Sequence, residues 1–258
     1  EKKGRCAINL DDPLSEKLYK KYDNKRSFIT FSIENKESQI RAENIEYNWQ
    51  GSTFDLIINS NLAESVTLSL FGRHNIYNAL SAISIAITNG VALKHILNAL
   101  KNFNGVKRRL ELKYKANDIT LFDDYAHHPT EVITTLEGIY KSHHQHRILT
   151  IFQPHRFSRL TNLFDAFSKS FNRSDQTFIV PVFSVGENQD GFKTSRDLAA
   201  EINLNNGNAT YCESFDIVSD KIKDMIQQND IILIMGAGNI NMIAKDIISI
   251  IKKAGNKN

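Results

Sequence analysis

The stretch Ile119-Thr120-Leu121-Phe122-Asp123-Asp124-Tyr125-Ala126-His127-His128-Pro129-Thr130-Glu131-Val132, continuing to Ile139, decides how the chain is read. Ile119 to Phe122 form a short apolar run that suits a buried strand, whereas Val132, Thr135, Leu136 and Ile139 recur at helical spacing. Pro129 has no amide hydrogen to leave unsatisfied and fits a first helical turn, with Glu131 close behind. Between strand and helix lie Asp123, Asp124, His127 and His128. A plain turn needs none of these titratable groups. The carboxyl end of a strand is where open α/β sheets bind ligands, so the stretch reads as a functional loop.

Downstream of residue 112 the pattern alternates. Strands are expected at 119–122, 147–152, 177–183, 209–212 and 231–235. Helices are expected from about 130, at 160–171, near 196–203, near 216–227 and at 240–252. Such alternation predicts an α/β unit with a doubly wound, mostly parallel sheet and helices on both faces. Upstream, Arg5–Leu10 reads as a strand stopped by Asp12-Pro13, and Ser15 is placed to cap a helix through Tyr19. Short β-favouring runs at 28–32, 39–47, 54–58 and 66–71 then suggest a β-meander rather than a βαβ repeat. From Asn75 to Asn89 the apolar residues Ile76, Ala79, Leu80, Ile83, Ala86 and Ile87 keep helical spacing. A second helix, Leu93 to Phe103, carries the stripe Ile96, Leu97 and Leu100 and is closed by Asn104-Gly105. Residues 104–110 read as a link between two domains, expected at 1–107 and 108–258, and the closing Lys252–Asn258 as a frayed tail.

A chain of 258 residues accommodates two modest cores. No apolar run reaches the roughly eighteen residues of a membrane-spanning helix, and EKKGRCAINL has no h-region, so a cytoplasmic protein is expected. Cys6 and Cys212 are too few and too distant for a disulfide framework or zinc site and are expected to be buried thiols; no metal-ligand set is legible. The net charge of +3 comes from scattered lysines with no basic block and no aromatic interleaving, so neither a nucleic-acid nor a membrane partner is indicated. His143, His144 and His146 have no carboxylate or cysteine at ligand spacing and read as solvated loop histidines. Gly236-Ala237-Gly238-Asn239-Ile240-Asn241 has two glycines of a dinucleotide fingerprint, but Asn241 stands where the third belongs; a tight turn lining a cleft is the better reading.

Taken jointly and in order, GRHNIYNALSAISIA (72–86), FNGVKRRLE (103–111), DDYAHHPTEV (123–132), FQPHRFSRL (152–160) and MGAGNI (235–240) resemble the Mur ligases. The likeness covers almost the whole chain. It implies a Rossmann-like C-terminal ligase domain at 108–258, preceded by the later part of a central ATP-binding α/β domain at 1–107. The activity implied is an ATP-dependent amide ligase, using ATP with Mg²⁺, that joins L-alanine to UDP-N-acetylmuramate for peptidoglycan synthesis. No G-x-x-x-x-G-K-[ST] phosphate loop occurs in the 258 residues. In the family that loop, the metal ligands and the UDP-binding domain all come earlier, so an N-terminally truncated chain is expected. A ligase that recycles a tripeptide onto the same sugar nucleotide is the alternative within the family, and paired arginines at 156 and 159 count against it. A nucleotide-binding oxidoreductase, suggested by GAGNI, is the alternative outside it.

The resemblance also implies roles for single residues. His74, Asn75 and Asn78 correspond to an adenine contact, where the residues alone suggest helix capping by Asn75. Arg109 corresponds to a terminal-phosphate contact, although Lys107, Arg108 and Arg109 otherwise read as a solvated linker. Asp123 corresponds to a ribose contact and His127 to a position near the reaction centre. Arg156 and Arg159 would grip the amino acid's carboxylate, and lie beside the 123–128 loop if strands 119–122 and 147–152 are neighbours. Surface pairing with Asp165 is their bland alternative.

Overall fold

The computed structural model describes residues 4–48, 51–70, 72–103, 105–143 and 145–254. It divides into two compact units, Glu1–Gly105 and Val106–Asn258.

In the first unit, β1 (Arg5–Asn9), α1 (Pro13–Tyr22), β2 (Ser27–Ser32), β3 (Ile40–Asn48), β4 (Gly51–Ile58) and β5 (Asn61–Leu68) precede α2 (Arg73–Thr88) and α3 (Leu93–Asn102). The sheet runs β1-β2-β3-β4-β5. Only β3, β4 and β5 form the expected antiparallel meander; β1 and β2 pair in parallel across α1. Helix α1 runs on to Tyr22 instead of Tyr19, and that length carries the chain back for a parallel crossover. It is also capped one turn earlier than expected: Ser15 N–H donates to Asp12 Oδ1 at 2.7 Å with Pro13 beginning the helix. The core joins Phe54, Leu56, Val66 and Leu68 of the sheet to Ile76, Leu80 and Ile83 of α2 and Ile96 of α3. Cys6 is exposed, contrary to expectation, because it lies near the start of edge strand β1, away from that core. Phe71 and Asn104, which the sequence reading places at element ends, lie outside the described residues.

In the second unit, β6 (Glu111–Ala116), β7 (Ile119–Asp124), α4 (Pro129–Ser142), β8 (Arg147–Phe152), α5 (Phe157–Asn162) and α6 (Phe164–Ser168) come first. They are followed by β9 (Gln176–Ile179), α7 (Ser195–Leu204), β10 (Ala209–Tyr211), α8 (Phe215–Met225), β11 (Asp230–Met235), a 3-10 turn at Ile240–Ile243, and α9 (Ala244–Ala254). The sheet order is β10-β9-β8-β11-β7-β6, parallel except for β6. Strand β6 is not legible in ELKYKA, whose polar residues suit an antiparallel edge and dilute the apolar signal. The expected neighbours β7 and β8 are separated by β11. All six residues of β11 are buried, so this nearly all-aliphatic strand sits where both its faces are covered. The region expected as one helix at 160–171 is two short helices meeting at Leu163, and β9 stops before Pro181, which cannot donate to a ladder. Beyond it only an isolated bridge, His155 to Phe183, continues the pairing. One sheet face packs Leu121, Ile151, Ile232 and Ile234 against Val218, Ile222, Ile247 and Ile251. On the other, Phe152 meets Phe167 and Phe171 with ring centroids 5.7 and 5.2 Å apart.

The two ends of the sheet are built differently. At the amino end Arg147 grips the fully buried Asp230 through Nε at 2.8 Å and Nη2 at 2.7 Å, locking β8 to β11. At the carboxyl end the chain leaving β11 is stitched to both neighbours: Gly236 N–H donates to Asp124 O at 3.1 Å and Gln153 N–H to Met235 O at 3.0 Å. A Cβ on Gly238 would stand 2.4 Å from Gln153 Oε1 and 2.6 Å from the Phe183 ring. The tight turn expected here therefore has a steric cause.

His143 corrects another expectation: it is 3% exposed, its N–H donates to Ile139 O at 2.8 Å, and its ring meets that of His146 edge-on. It ends α4, whose apolar face carries it into the interior. Burial, reinforced by the charge of His146, lowers its pKa to about 4. His144 lies outside the described residues.

Two expectations follow from this packing. Gly238→Ala should destabilise by roughly 1–3 kcal/mol through overpacking, whereas Gly138→Ala in mid-helix should gain roughly 0.5–1 kcal/mol. Nothing would lie within 4 Å of the Cβ added at Gly138, so urea midpoints of the two variants should move in opposite directions. Because His143 is depressed in the fold, its stabilising neutral form holds above the unfolded value of 6.5 and is lost as pH falls toward 4. Between pH 7 and 4.5 the parent should lose on the order of 2 kcal/mol more than His143→Gln, and parallel urea curves at the two pH values would contradict this.

Candidate functional site

Two clusters hold the residues singled out in the sequence, one in each unit. In the first unit Gly72, at φ 99°, turns the chain into α2, and Asn75 N–H donates to Gly72 O at 3.0 Å. Asn75 is thus inside the first turn and does not cap the helix; Gly72 holds the cap position. A Cβ on Gly72 would lie 2.9 Å from the His74 ring, so the glycine leaves room for the imidazole to lie over the turn. Asn78 is exposed one turn on, with its Nδ2 donating to Asn75 Oδ1 at 3.4 Å. His74, Asn75 and Asn78 therefore gather at the opening of one helix. Beside them Asp11 accepts the N–H groups of Ile33, Glu34 and Asn35 at 2.6–3.0 Å and the Tyr77 hydroxyl at 2.8 Å. Burial alone would raise its pKa, but these donors together lower it.

In the second unit the loops leaving β7, β11 and β8 meet at the carboxyl end of the sheet. Arg108, not Arg109, is the more deeply placed cation of the basic trio. Its Nη1 donates to Gly238 O at 3.2 Å, its Nη2 to Gly236 O, its Nε lies 3.6 Å from Asp123 Oδ2, and its guanidinium stands 5.0 Å from the centre of the Tyr125 ring. Arg109 covers the same ring at 5.6 Å, stays half exposed, and approaches Glu131 Oε1 at 3.6 Å. Asp123 is 1% exposed, and its Oδ1 has no hydrogen-bond partner among the described residues. Burial raises its pKa, against the opposing charge of Arg108. Asp124 accepts Leu110 N–H and Ala126 N–H, both at 2.7 Å, and so ties the chain entering the unit to the site loop.

His127 is held on one side only. Its Nδ1 lies 2.9 Å from Tyr125 O and 3.5 Å from Glu131 Oε2. Both are acceptors, so the neutral ring carries its proton on Nδ1 and leaves the Nε2 lone pair free. Glu131 also accepts the N–H groups of His127 and His128 at 3.0 and 3.2 Å, closing the start of α4. Burial would raise its pKa, but those amides and the charge of Arg109, joined by that of His127 when its ring is protonated, bring it down.

Arg156 and Arg159 reach the same place from β8 although β11 intervenes. The bridge is His155, whose ring lies 5.8 Å from that of His127 and stacks on Phe183 at 5.6 Å. Arg159 Nη1 lies 3.3 Å from His155 Nδ1. Burial, followed by the charges of Arg159 and His127, lowers the pKa of His155 and favours its neutral form. The carboxylate that could have taken up these arginines, Asp165, pairs with Lys169 at 2.7 Å. Among the described residues neither Arg156 nor Arg159 is in an ion pair. Arg109, Asp123, His127, Arg156 and Arg159 thus share one end of one sheet, with Arg108, Tyr125, Glu131 and His155 added by the structure. Tyr125 and Glu131 stood in the opening stretch and could have been marked there. For Arg108 no sequence signal beyond the basic trio exists.

Magnesium prefers free oxygen ligands. Here Asp123 faces Arg108, Asp124 is occupied by backbone amides, and Glu131 by the start of α4. Among the described residues no three His, Cys, Asp or Glu side chains group to hold a metal. These residues do not fit a metal centre. No helix among them is long and apolar enough to cross a membrane.

Both units have counterparts among known proteins. The Mur ligase middle domain matches residues 1–86, and the Mur ligase, glutamate ligase domain matches residues 108–238. A UDP-N-acetylmuramate–L-alanine ligase of Clostridium acetobutylicum is 39% identical over 86% of this chain and 48% of its own length. The ligase of the same name from Persephonella marina is 35% identical over 96% of this chain and 53% of its own. The chain therefore spans about half the length of the curated relatives it matches. Among solved structures, the UDP-N-acetylmuramate-alanine ligase of Thermotoga maritima superposes with a TM-score of 0.77 at 22% identity, over 97% of this chain and 52% of that one. A murein peptide ligase of Psychrobacter arcticus gives 0.66 at 27% identity, over 97% and 52%. With both units matched in order, the chain belongs to the Mur ligase family.

Proposed function

We propose that the protein carrying this chain is an ATP-dependent ligase that joins L-alanine to UDP-N-acetylmuramate in the cytoplasm. In this reading the first unit is the later part of the ATP-binding domain and the second is the ligase domain. The observation that carries it is the pair Arg156 and Arg159, two guanidinium groups without carboxylate partners, joined through His155 to the neighbourhood of His127, whose Nε2 is free. Two arginines without a carboxylate partner at one end of a sheet suit an anion, and the fork of each matches a carboxylate with two parallel hydrogen bonds. The names of the relatives supply the amino acid and the sugar nucleotide.

ATP and L-alanine enter as substrates: ATP gives its terminal phosphoryl group to a carboxylate oxygen of the sugar nucleotide and leaves as ADP, and the acyl phosphate loses phosphate when the amine attacks its carbonyl carbon. Arg156 and Arg159 hold the amino acid by its carboxylate, which fixes where its amine lies. His127 Nε2 accepts a hydrogen from that amine while Tyr125 O and Glu131 keep the ring in place. Arg109, the more exposed of the two cations on Tyr125, faces phosphate oxygens, while Arg108 stays committed to the glycine turn. His74, Asn75 and Asn78 offer flat polar groups to a base. The ribose contact falls to Asp123 by its place in the family motif; its Oδ1 is buried without a partner among the described residues and its other oxygen faces Arg108.

Arg159→Lys keeps the charge but loses the fork. In the ligase carrying this chain it should lower kcat/KM for L-alanine roughly tenfold to a hundredfold, the equivalent of about 1.5–3 kcal/mol, and leave KM for ATP unchanged. Steady-state rates with each substrate varied in turn, beside a thermal melt, decide the matter. Unaltered use of alanine, or loss of ATP affinity instead, would remove Arg159 from the amino-acid site.

A further inference from the structure

Two residues near the paired arginines hold backbone conformations that L-residues avoid. Arg156 has φ 71° and Val185, a β-branched residue, has φ 54°. Such conformations persist only where the surroundings over-determine them, and they concentrate at functional sites. Here the surroundings are a clasp between two loops. Arg156 N–H donates to Phe183 O, and Phe183 N–H donates to Pro154 O, both at 2.9 Å. The Phe183 ring stacks on His155 with an interplanar angle of 18°.

The clasp is closed by Glu187. Its Oε2 accepts Ser158 N–H at 3.0 Å and its Oε1 accepts the Ser158 hydroxyl at 2.6 Å. Ser158 lies in the first turn of α5, between Arg156 and Arg159. The side-chain and main-chain donors of Ser158, ahead of the charge of Arg156, hold the Glu187 carboxyl below its usual range, so it is ionised at neutral pH. The charge of Arg156 acts on Glu187, yet the oxygens of this carboxylate bond to Ser158, and among the described residues it forms no ion pair with Arg156 or Arg159.

We propose that Glu187 is a positioning residue for the amino-acid carboxylate, acting through Ser158 to fix the turn that presents Arg156 and Arg159 while leaving both guanidiniums without a carboxylate partner. This rests on the reading that those arginines bind the carboxylate. Glu187 is 28 residues beyond Arg159 in sequence, and no motif marks it. The hydrogen bonds alone assign it.

The experiment uses the ligase carrying this chain, with initial rates measured against L-alanine and ATP in turn for Glu187→Ala, Glu187→Gln, Ser158→Ala and Arg159→Ala. Glu187→Ala should raise KM for L-alanine about tenfold with KM for ATP unchanged, and Glu187→Gln, which keeps an acceptor for Ser158, should stay within about threefold of the parent. Equal losses for both substrates, or no rescue by glutamine, would reduce Glu187 to a stabilising contact and overturn the proposal. If Arg159→Ala raises KM for L-alanine and Glu187→Ala does not, the positioning role alone falls. If Arg159→Ala itself leaves that KM unchanged, the carboxylate site falls and the positioning role with it. Should Glu187→Ala not fold, Ser158→Ala carries the same comparison, since it removes the hydroxyl and keeps the N–H. A rise of about threefold in KM for L-alanine alone supports the proposal, and no change overturns it.

Discussion

At Gly238 there is room for a hydrogen atom and nothing larger, and the arrangement of the second unit depends on that closeness. Because β11 lies between β7 and β8, the loops that follow those two strands could meet only above the chain leaving β11. A turn with side chains there would hold them apart. The glycines let Gln153 and Phe183 descend onto the backbone from one side while Arg108 takes the carbonyls of Gly236 and Gly238. His127 and His155, carried by strands that do not touch, then come within ring contact.

The electrostatics of the site follow a division of labour. Each carboxylate near it is given to structure: Asp124 to the amides of Leu110 and Ala126, Glu131 to the start of α4, Glu187 to Ser158, and Asp123 to the neighbourhood of Arg108. The cations divide differently, since Arg108 is committed to carbonyls and Asp123, whereas among the described residues Arg156 and Arg159 have no carboxylate partner. A surface that satisfies its anions internally while leaving guanidinium groups open is suited to an anionic ligand and poorly suited to a metal.

Much of the fold was legible where one physical signal dominated. The bounds of β8 were read correctly from the alternation of strands and helices, and α4 from a proline at its start with apolar spacing behind it. What was not legible depends on contacts between distant residues. The position of β11 is a property of the assembled sheet, and β6 hid because an edge strand is allowed to be polar. The break at Leu163 and the burial of His143 reflect packing that overrides local preference. In the candidate site, residues inside quoted motifs were visible as chemistry, whereas Arg108 was indistinguishable from its solvated neighbours until the carbonyls it binds were placed. The same holds for Glu187, whose partner is 29 positions away.

The buried clamp of Arg147 on Asp230 sits at the opposite end of the sheet from all of this chemistry. By pinning β8 and β11 in register at their first residues, it makes strand alignment independent of what the loops at the other end contain. Sequence change in those loops can therefore alter which molecule is held without letting the strands slip. A scaffold so divided, with its alignment fixed at one pole and its chemistry gathered at the other, can diversify in substrate while keeping its architecture.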